Sequence, residues 1–271
     1  MGLIDTHTHL ESFVRKGTAA SALSRAKAAG LEAMITVGTS PHDWTLYRDL
    51  AKRLTGFVYY SIGLHPCSVD EHWEMAMAQV EGFWPKEGEG DNHPVALGEV
   101  GLDRYHLPKD NPHEAKKIFG WQRAAFEASL AIAKRLGTPV IIHARGAFQE
   151  CVEMIDASGV DWTKVIFHCF SEGVPEMNEL LRRGGYGSFT GILTYKSADI
   201  VREAALSQGL DRFMVETDAP YLTPDPKRGK PNEPAFVKYT AEFAATHVFQ
   251  KSYAEIEKRS TENAKRFFGL P

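Results

Sequence analysis

The chain has 271 residues, 43% of them hydrophobic and 24% charged, with a formal net charge of −4. That length suits one large domain, such as the roughly 250 residues of a TIM barrel, and it lets a chain bury about three quarters of its unfolded surface. No apolar run approaches the roughly 18 residues a membrane-spanning helix demands, and the net charge argues against a global basic field that would gather nucleic acid.

Taken in order, the chain opens on Leu3-Ile4-Asp5-Thr6-His7 with no basic segment before it, so no cleaved signal peptide is expected. Strand-like apolar runs follow near 2–5, 33–38, 57–63, 95–99, 139–143, 164–168, 186–190 and 212–217. Helical stretches fill the gaps. Residues 19–29 form one; Ser40 as N-cap with Pro41 behind it opens another, whose stripe of Trp44, Tyr47, Leu50 and Leu54 closes at Gly56. Asn111-Pro112 opens a long amphipathic helix that stops at Gly137. Residues 147–157, 175–183, 198–208, 235–249 and 253–268 supply the rest, and residues 85–94 read as a surface loop within one domain. Eight strands alternating with helices predict a single α/β (β/α)8 TIM barrel over residues 1–271. Three cysteines (Cys67, Cys151, Cys169), none in a C-x-x-C pair, fit a reducing cytoplasm.

Active sites of barrels lie at the C-terminal ends of the strands, and there this chain places His7, His9, Glu99, His143, His168 and Asp218. His7 and His9 are two apart, so both point to one side, about 7 Å apart along the strand. Alone, H-x-H also occurs in polar loops, a lone strand-end histidine also serves as a core residue, and Glu99 or Asp218 could be a cap or turn. Together, four imidazoles beside buried acids fit metal binding, because a buried charge is costly unless paired or metal-bound. Glu99 has two oxygens and is expected to bridge two cations. Asp218 is expected to complete the sphere of His7 and His9 and to accept a proton from the attacking water. One ion would take His7, His9, Glu99 and Asp218, the other Glu99, His143 and His168. The catalytic pair is Asp218 and Glu99, acting with two divalent ions (Mg, Mn or Zn) on a water. His65 ends the third strand and is a candidate substrate contact, while His42, His72, His93, His106, His113 and His247 read as solvated. Cys169 is expected to pack against helices.

Several motifs resemble those of the TatD-like metal-dependent deoxyribonucleases, a branch of the amidohydrolase superfamily. They are Asp5-Thr6-His7-Thr8-His9-Leu10, Gly63-Leu64-His65-Pro66, Gly98-Glu99-Val100-Gly101-Leu102-Asp103, Ile141-Ile142-His143-Ala144-Arg145 and His168-Cys169-Phe170-Ser171. Glu216-Thr217-Asp218-Ala219-Pro220-Tyr221-Leu222, Asn232-Glu233-Pro234 and Thr261-Glu262-Asn263-Ala264-Lys265-Arg266-Phe267-Phe268 complete the set. The resemblance implies a monomeric barrel that hydrolyses DNA phosphodiesters, with Mg²⁺ the usual activating ion. The chain departs from the family at Gly146, Glu172 and Pro231, where an acid, a glycine and an arginine are common.

DNA, as single-stranded or frayed ends, would then be held by Arg145, Tyr221, Asn232 and the loop Lys227-Arg228-Gly229-Lys230, with Tyr105, Tyr195 and Tyr221 stacking on bases. A rival reading keeps fold and metals but takes a small lactone, amide or phosphoester. Another is a non-catalytic metal-stabilised binding protein.

Overall fold

Runs rich in Val, Ile, Leu and Met form parallel strands, and the amphipathic stretches between them form helices. The computed structural model describes residues 2–85 and 92–271. In chain order the main elements are β1 (Leu3–Thr8), α1 (Leu10–Arg15), α2 (Ala19–Ala28), β2 (Leu31–Val37), α3 (Pro41–Arg53), β3 (Val58–Ile62), α4 (Trp73–Val80) and β4 (Ala96–Asp103). Then come α5 (Pro112–Leu136), β5 (Val140–Arg145), α6 (Phe148–Ser158), β6 (Val165–Phe167), α7 (Val174–Arg183), β7 (Tyr186–Gly187), α8 (Asp199–Gln208), α9 (Val237–Phe243) and α10 (Tyr253–Phe268). No described helix is long and apolar enough to cross a membrane. The chain divides into two compact units, one of Met1–Thr36, Leu54–Tyr59 and Phe167–Pro271, the other of Val37–Arg53 and Tyr60–Ile166.

In the first unit β1 runs parallel to β2, with Leu3 opposite Leu31 and Asp5 opposite Met34. The other edge of β1 meets residues 212–219: Thr6 N–H donates to Val215 (3.3 Å), Asp218 N–H to His7 (2.8 Å) and His9 N–H to Ala219 (2.9 Å). The far side of that segment exchanges bonds with Phe189 just past β7. The run expected as the eighth strand is thus bonded on both flanks, yet it makes only isolated parallel bridges. The reason is local: Thr217 gives its N–H to the Asp5 carboxylate (2.8 Å), and Asp218 turns into the left-handed region at φ 54°. From α10, Thr261 donates to the Gly2 carbonyl (2.7 Å) and Lys265 pairs with Glu32 (2.5 Å), fastening both ends of the chain to β1 and β2.

In the second unit β3, β4 and β5 run parallel, with Ser61 opposite Ala96 and Gly101 opposite His143. β4 is buried along its whole length, and α5 packs on it. That helix is capped as its sequence predicts. The Asn111 side chain accepts from Glu114 N–H (3.1 Å), and Gly137 closes it at φ 60°. Two glycines let these backbones close up. A Cβ on Gly63 would lie 2.7 Å from Glu99 N, and one on Gly101 would lie 2.1 Å from the His143 carbonyl oxygen.

Several expected elements differ in extent. β6 stops at Phe167, one residue before His168, and β7 keeps two residues of its expected five. The helix expected over 235–249 is α9 followed by a π-helical turn, Ala244–Phe249. At the start of α3 it is Asp43, not Ser40, that supplies the acceptor, taking the N–H groups of Thr39 and Ser40. α1 and α4 were not anticipated. In the loop expected at 85–94, residues 86–91 lie outside the described residues.

Candidate metal centre

The alternation of side chains along a strand decides what meets at its end. In β1, Asp5 and His7 share a side. Asp5 is fully buried and accepts from Thr217 N–H, Thr217 Oγ1 (2.6 Å) and His7 N–H (3.3 Å). Burial, with the nearby Glu216 charge, pushes its pKa up to about 8 against those hydrogen bonds. The buttress fixes the backbone from which His7 projects.

His7 Nε2 lies 3.3 Å from His9 Nε2, and Asp218 Oδ1 lies 3.7 Å and 3.2 Å from the same two nitrogens. His168 stacks on His7 with ring centroids 4.0 Å apart. Burial pushes the Asp218 pKa up, but the His9 hydrogen bond and the His7, His9 and His168 charges outweigh it, so the group sits below the usual carboxylate value. Behind His168 stands Glu216, the first residue of the Glu216-Thr217-Asp218 motif, whose sequence alone suggests no role for it. Its Oε1 lies 3.6 Å from His168 Nδ1 and accepts from Cys169 N–H (2.6 Å), while Oε2 accepts from Ser188 Oγ (2.5 Å). Cys169 thus meets this cluster through its backbone, and its thiol lies 3.8 Å from Thr190 Oγ1. Its φ of 47° turns the chain there, after β6 has ended.

The second unit assembles its own cluster. Glu99, 2% exposed, places Oε1 2.8 Å from His143 Nδ1 and 3.3 Å from His65 Nε2. His65, expected only as a substrate contact, is thus part of a tight imidazole–carboxylate group. The other face of His143 bonds Asp103 Oδ2 (2.9 Å) through Nε2. Burial pushes Asp103 up, yet the hydrogen bonds from His143 and His106 hold it well below the usual carboxylate range. His106, expected as solvated, bonds Asp103 Oδ2 at 2.8 Å. A period-of-two signal could have found both missed acids: Asp103 shares its side of β4 with Glu99, and Glu216 shares parity with Asp218.

Imidazole nitrogens and carboxylate oxygens suit Zn²⁺ or Mn²⁺, and carboxylate oxygens suit Mg²⁺. Two sets of such atoms, His65–Glu99–His143 in one unit and His7–His168–Glu216 in the other, each lie within 4.8 Å of one another. The residues present therefore fit divalent ions. A histidine ligand whose second nitrogen is held by a carboxylate is the arrangement metal sites use to orient imidazoles.

The expected substrate contacts divide. Tyr221 is 62% exposed, 6.3 Å from the His9 ring. Asn232 is buried, its amide donating to the Thr217 (2.9 Å) and Tyr221 (2.6 Å) carbonyls, so it braces the Tyr221 turn from within. Arg145 lies over Tyr105 at 4.0 Å and Arg228 over Tyr195 at 3.8 Å, so each cation covers a ring face of its own chain.

The family model for TatD-related DNases matches residues 4–269. The metal-dependent hydrolase YabD of Bacillus subtilis is 35% identical over 268 residues, covering 99% of each chain. A protein named 3'-5' ssDNA/RNA exonuclease TatD, from Edwardsiella piscicida, is 30% identical and covers 99% of this chain and 100% of its own. Among solved structures, the TatD homologue YjjV of Escherichia coli K12 superposes with a TM-score of 0.86 at 24% identity, over 99% of this chain and 98% of that one. That likeness concerns the fold, and the expected α/β class of TIM-barrel type is borne out.

Proposed function

This chain belongs to the TatD-related DNase family and is a metal-dependent hydrolase, and from that premise we propose that it cleaves DNA phosphodiesters, as an exonuclease on single-stranded or frayed ends. The observation that carries the reading is Glu99, a buried carboxylate whose one oxygen meets two imidazoles. In the proposal one ion would be held by His7, His9, Glu99 and Asp218 and the other by Glu99, His143 and His168, with His65 added to the second set. When bound, the ions supply Lewis acidity, which acidifies water and offsets charge on the phosphoryl oxygens.

The chain's own residues do the rest. Asp218, kept ionised by its histidines, takes the proton released by the attacking water. Asp103 holds His143 in orientation through a hydrogen bond, and Glu216 places its charge 3.6 Å from His168 Nδ1. Tyr221 offers a stacking face to a base, and Asn232 positions Tyr221 through its carbonyl. The protein acts as a monomer of one domain.

One observation favours a smaller substrate as the second reading: Arg145 and Arg228 both stack on the chain's own tyrosines, which ties both cations to rings of this chain instead of leaving them extended toward a polyanion. The test is end-labelled single-stranded DNA incubated with purified protein, with a chelator and then with Mg²⁺, Mn²⁺ or Zn²⁺. Stepwise shortening that requires metal is expected. Intact DNA under every ion, alongside turnover of a small phosphoester or lactone, would hand the assignment to the second reading.

A further inference from the structure

Beside the second cluster lies a group of different chemistry. Cys67 Sγ lies 3.6 Å from Asp103 Oδ2 and 3.6 Å from His106 Nδ1, and the last two atoms are 2.8 Å apart. We infer that Cys67, Asp103 and His106 form a further cation site, for a thiophilic divalent ion of the Zn²⁺ type, separate from the proposed hydrolytic pair.

Geometry argues for it. Bonds of about 2.3 Å to sulfur and about 2.0–2.2 Å to nitrogen or oxygen, at tetrahedral angles, set sulfur about 3.5–3.6 Å from each partner. Both sulfur edges of this triangle already have that length. The third edge is a hydrogen bond that needs to open by about half an ångström, toward the roughly 3.3 Å expected between nitrogen and oxygen ligands.

The arms are also held in place. Gln122 is buried in α5, where its Oε1 accepts from Asp103 N–H (3.0 Å) and its Nε2 donates to the Pro66 carbonyl (3.2 Å). One side chain thus ties the end of β4 to the turn Pro66–Ser68 that carries Cys67. Asp103 is fixed again through Oδ1, which accepts from His106 N–H (2.8 Å). Cys67 and His106 are exposed, which leaves an approach and a fourth position for water.

A thiolate, an imidazole and a carboxylate select Zn²⁺ or Co²⁺ over Mg²⁺. Binding expels the Cys67 thiol proton to solvent, requires the His106 Nδ1 proton that now faces Asp103 to move to Nε2 or to solvent, and changes no oxidation state. The inference does not rest on the hydrolase reading, because its donors are not ligands of the proposed catalytic ions, Asp103 Oδ2 meeting that site only through its hydrogen bond with His143 Nε2, and its test needs no activity.

The experiment is titration of the metal-free full chain with Co²⁺, followed by the sulfur-to-cobalt charge-transfer absorbance in the near ultraviolet. Wild type and Cys169→Ser should show the band, and Cys67→Ser should lack it and take up one equivalent of Zn²⁺ fewer than wild type. His106→Ala keeps the thiol and should weaken Zn²⁺ at this site about tenfold or more. A wild-type chain with no band, or a band that survives in Cys67→Ser, overturns the site.

Discussion

The two histidine clusters differ in how they are closed. In the first unit, imidazoles meet one another, His7 against His168 at 4.0 Å, and Asp218 reaches His7 and His9 over 3.7 and 3.2 Å. In the second, carboxylates reach His143 on both faces at 2.8 and 2.9 Å, the length of charge-assisted hydrogen bonds. The second cluster is therefore held by short carboxylate hydrogen bonds, whereas the first shows ring stacking and longer carboxylate approaches. Preorganisation is unequal between the units, and substitutions can break or sharpen the contrast.

The largest effect is expected from Asp218→Asn in the first unit. An amide keeps the shape but cannot take the proton, so turnover should fall roughly 10²–10⁴-fold while DNA affinity stays within a few fold. Turnover close to wild type at saturating metal would leave Asp218 with no part in proton transfer. Next, Glu99→Gln removes the oxygen charge on which the second cluster is built. If Glu99 serves both ions, metal per chain falls toward zero or one by elemental analysis; two tightly held ions in this variant would end the bridging assignment.

Glu216→Gln should act at one remove, through His168. Loss of such a supporting carboxylate typically costs about 10–100-fold in metal affinity, measurable by chelator competition, and an unchanged affinity would show that Glu216 only braces backbone. Gly63→Ala should leave the chemistry alone and disturb the frame. Its Cβ would press on the Gly98–Glu99 backbone, and overpacking of this kind costs about 1–3 kcal/mol, a Tm loss of several degrees by calorimetry. If the chain is one domain, as proposed, the transition stays single and moves as a whole. Two resolved transitions, only one of them shifted, would give each unit its own stability.

Much of this was legible because strand and ligand signals coincide. Glu99 and His143 do lie in strands formed by the apolar runs, although β4 runs on to Asp103 and β5 to Arg145 instead of ending at them, and Asn111-Pro112 and Gly137 mark the ends of α5 in the sequence. What stayed hidden depends on tertiary context. Asp103 and Glu216 look like ordinary acids after a strand until a neighbouring histidine arrives. His106 sits in a polar stretch, and only the bend after β4 folds it back onto Asp103. α1 spans six residues and α4 eight without a side-chain cap, too short and too weakly punctuated to stand out. The eighth run has a strand's composition, but Asp5 captures the Thr217 N–H and prevents the ladder from forming.

That capture also sets a timetable for synthesis. Asp5 and Thr217 are 212 positions apart, and ribosomes add roughly 5–20 residues per second, so β1 waits about 10–40 s for the partner on its second edge. Until then the earliest-made histidines project from a strand flanked at most by β2, and the α10 contacts to Gly2 and Glu32 come later still. The segment carrying the proposed ligands His7 and His9 is thus made well before it is locked, and until then β1 presents an unpaired edge open to misplaced strand pairing.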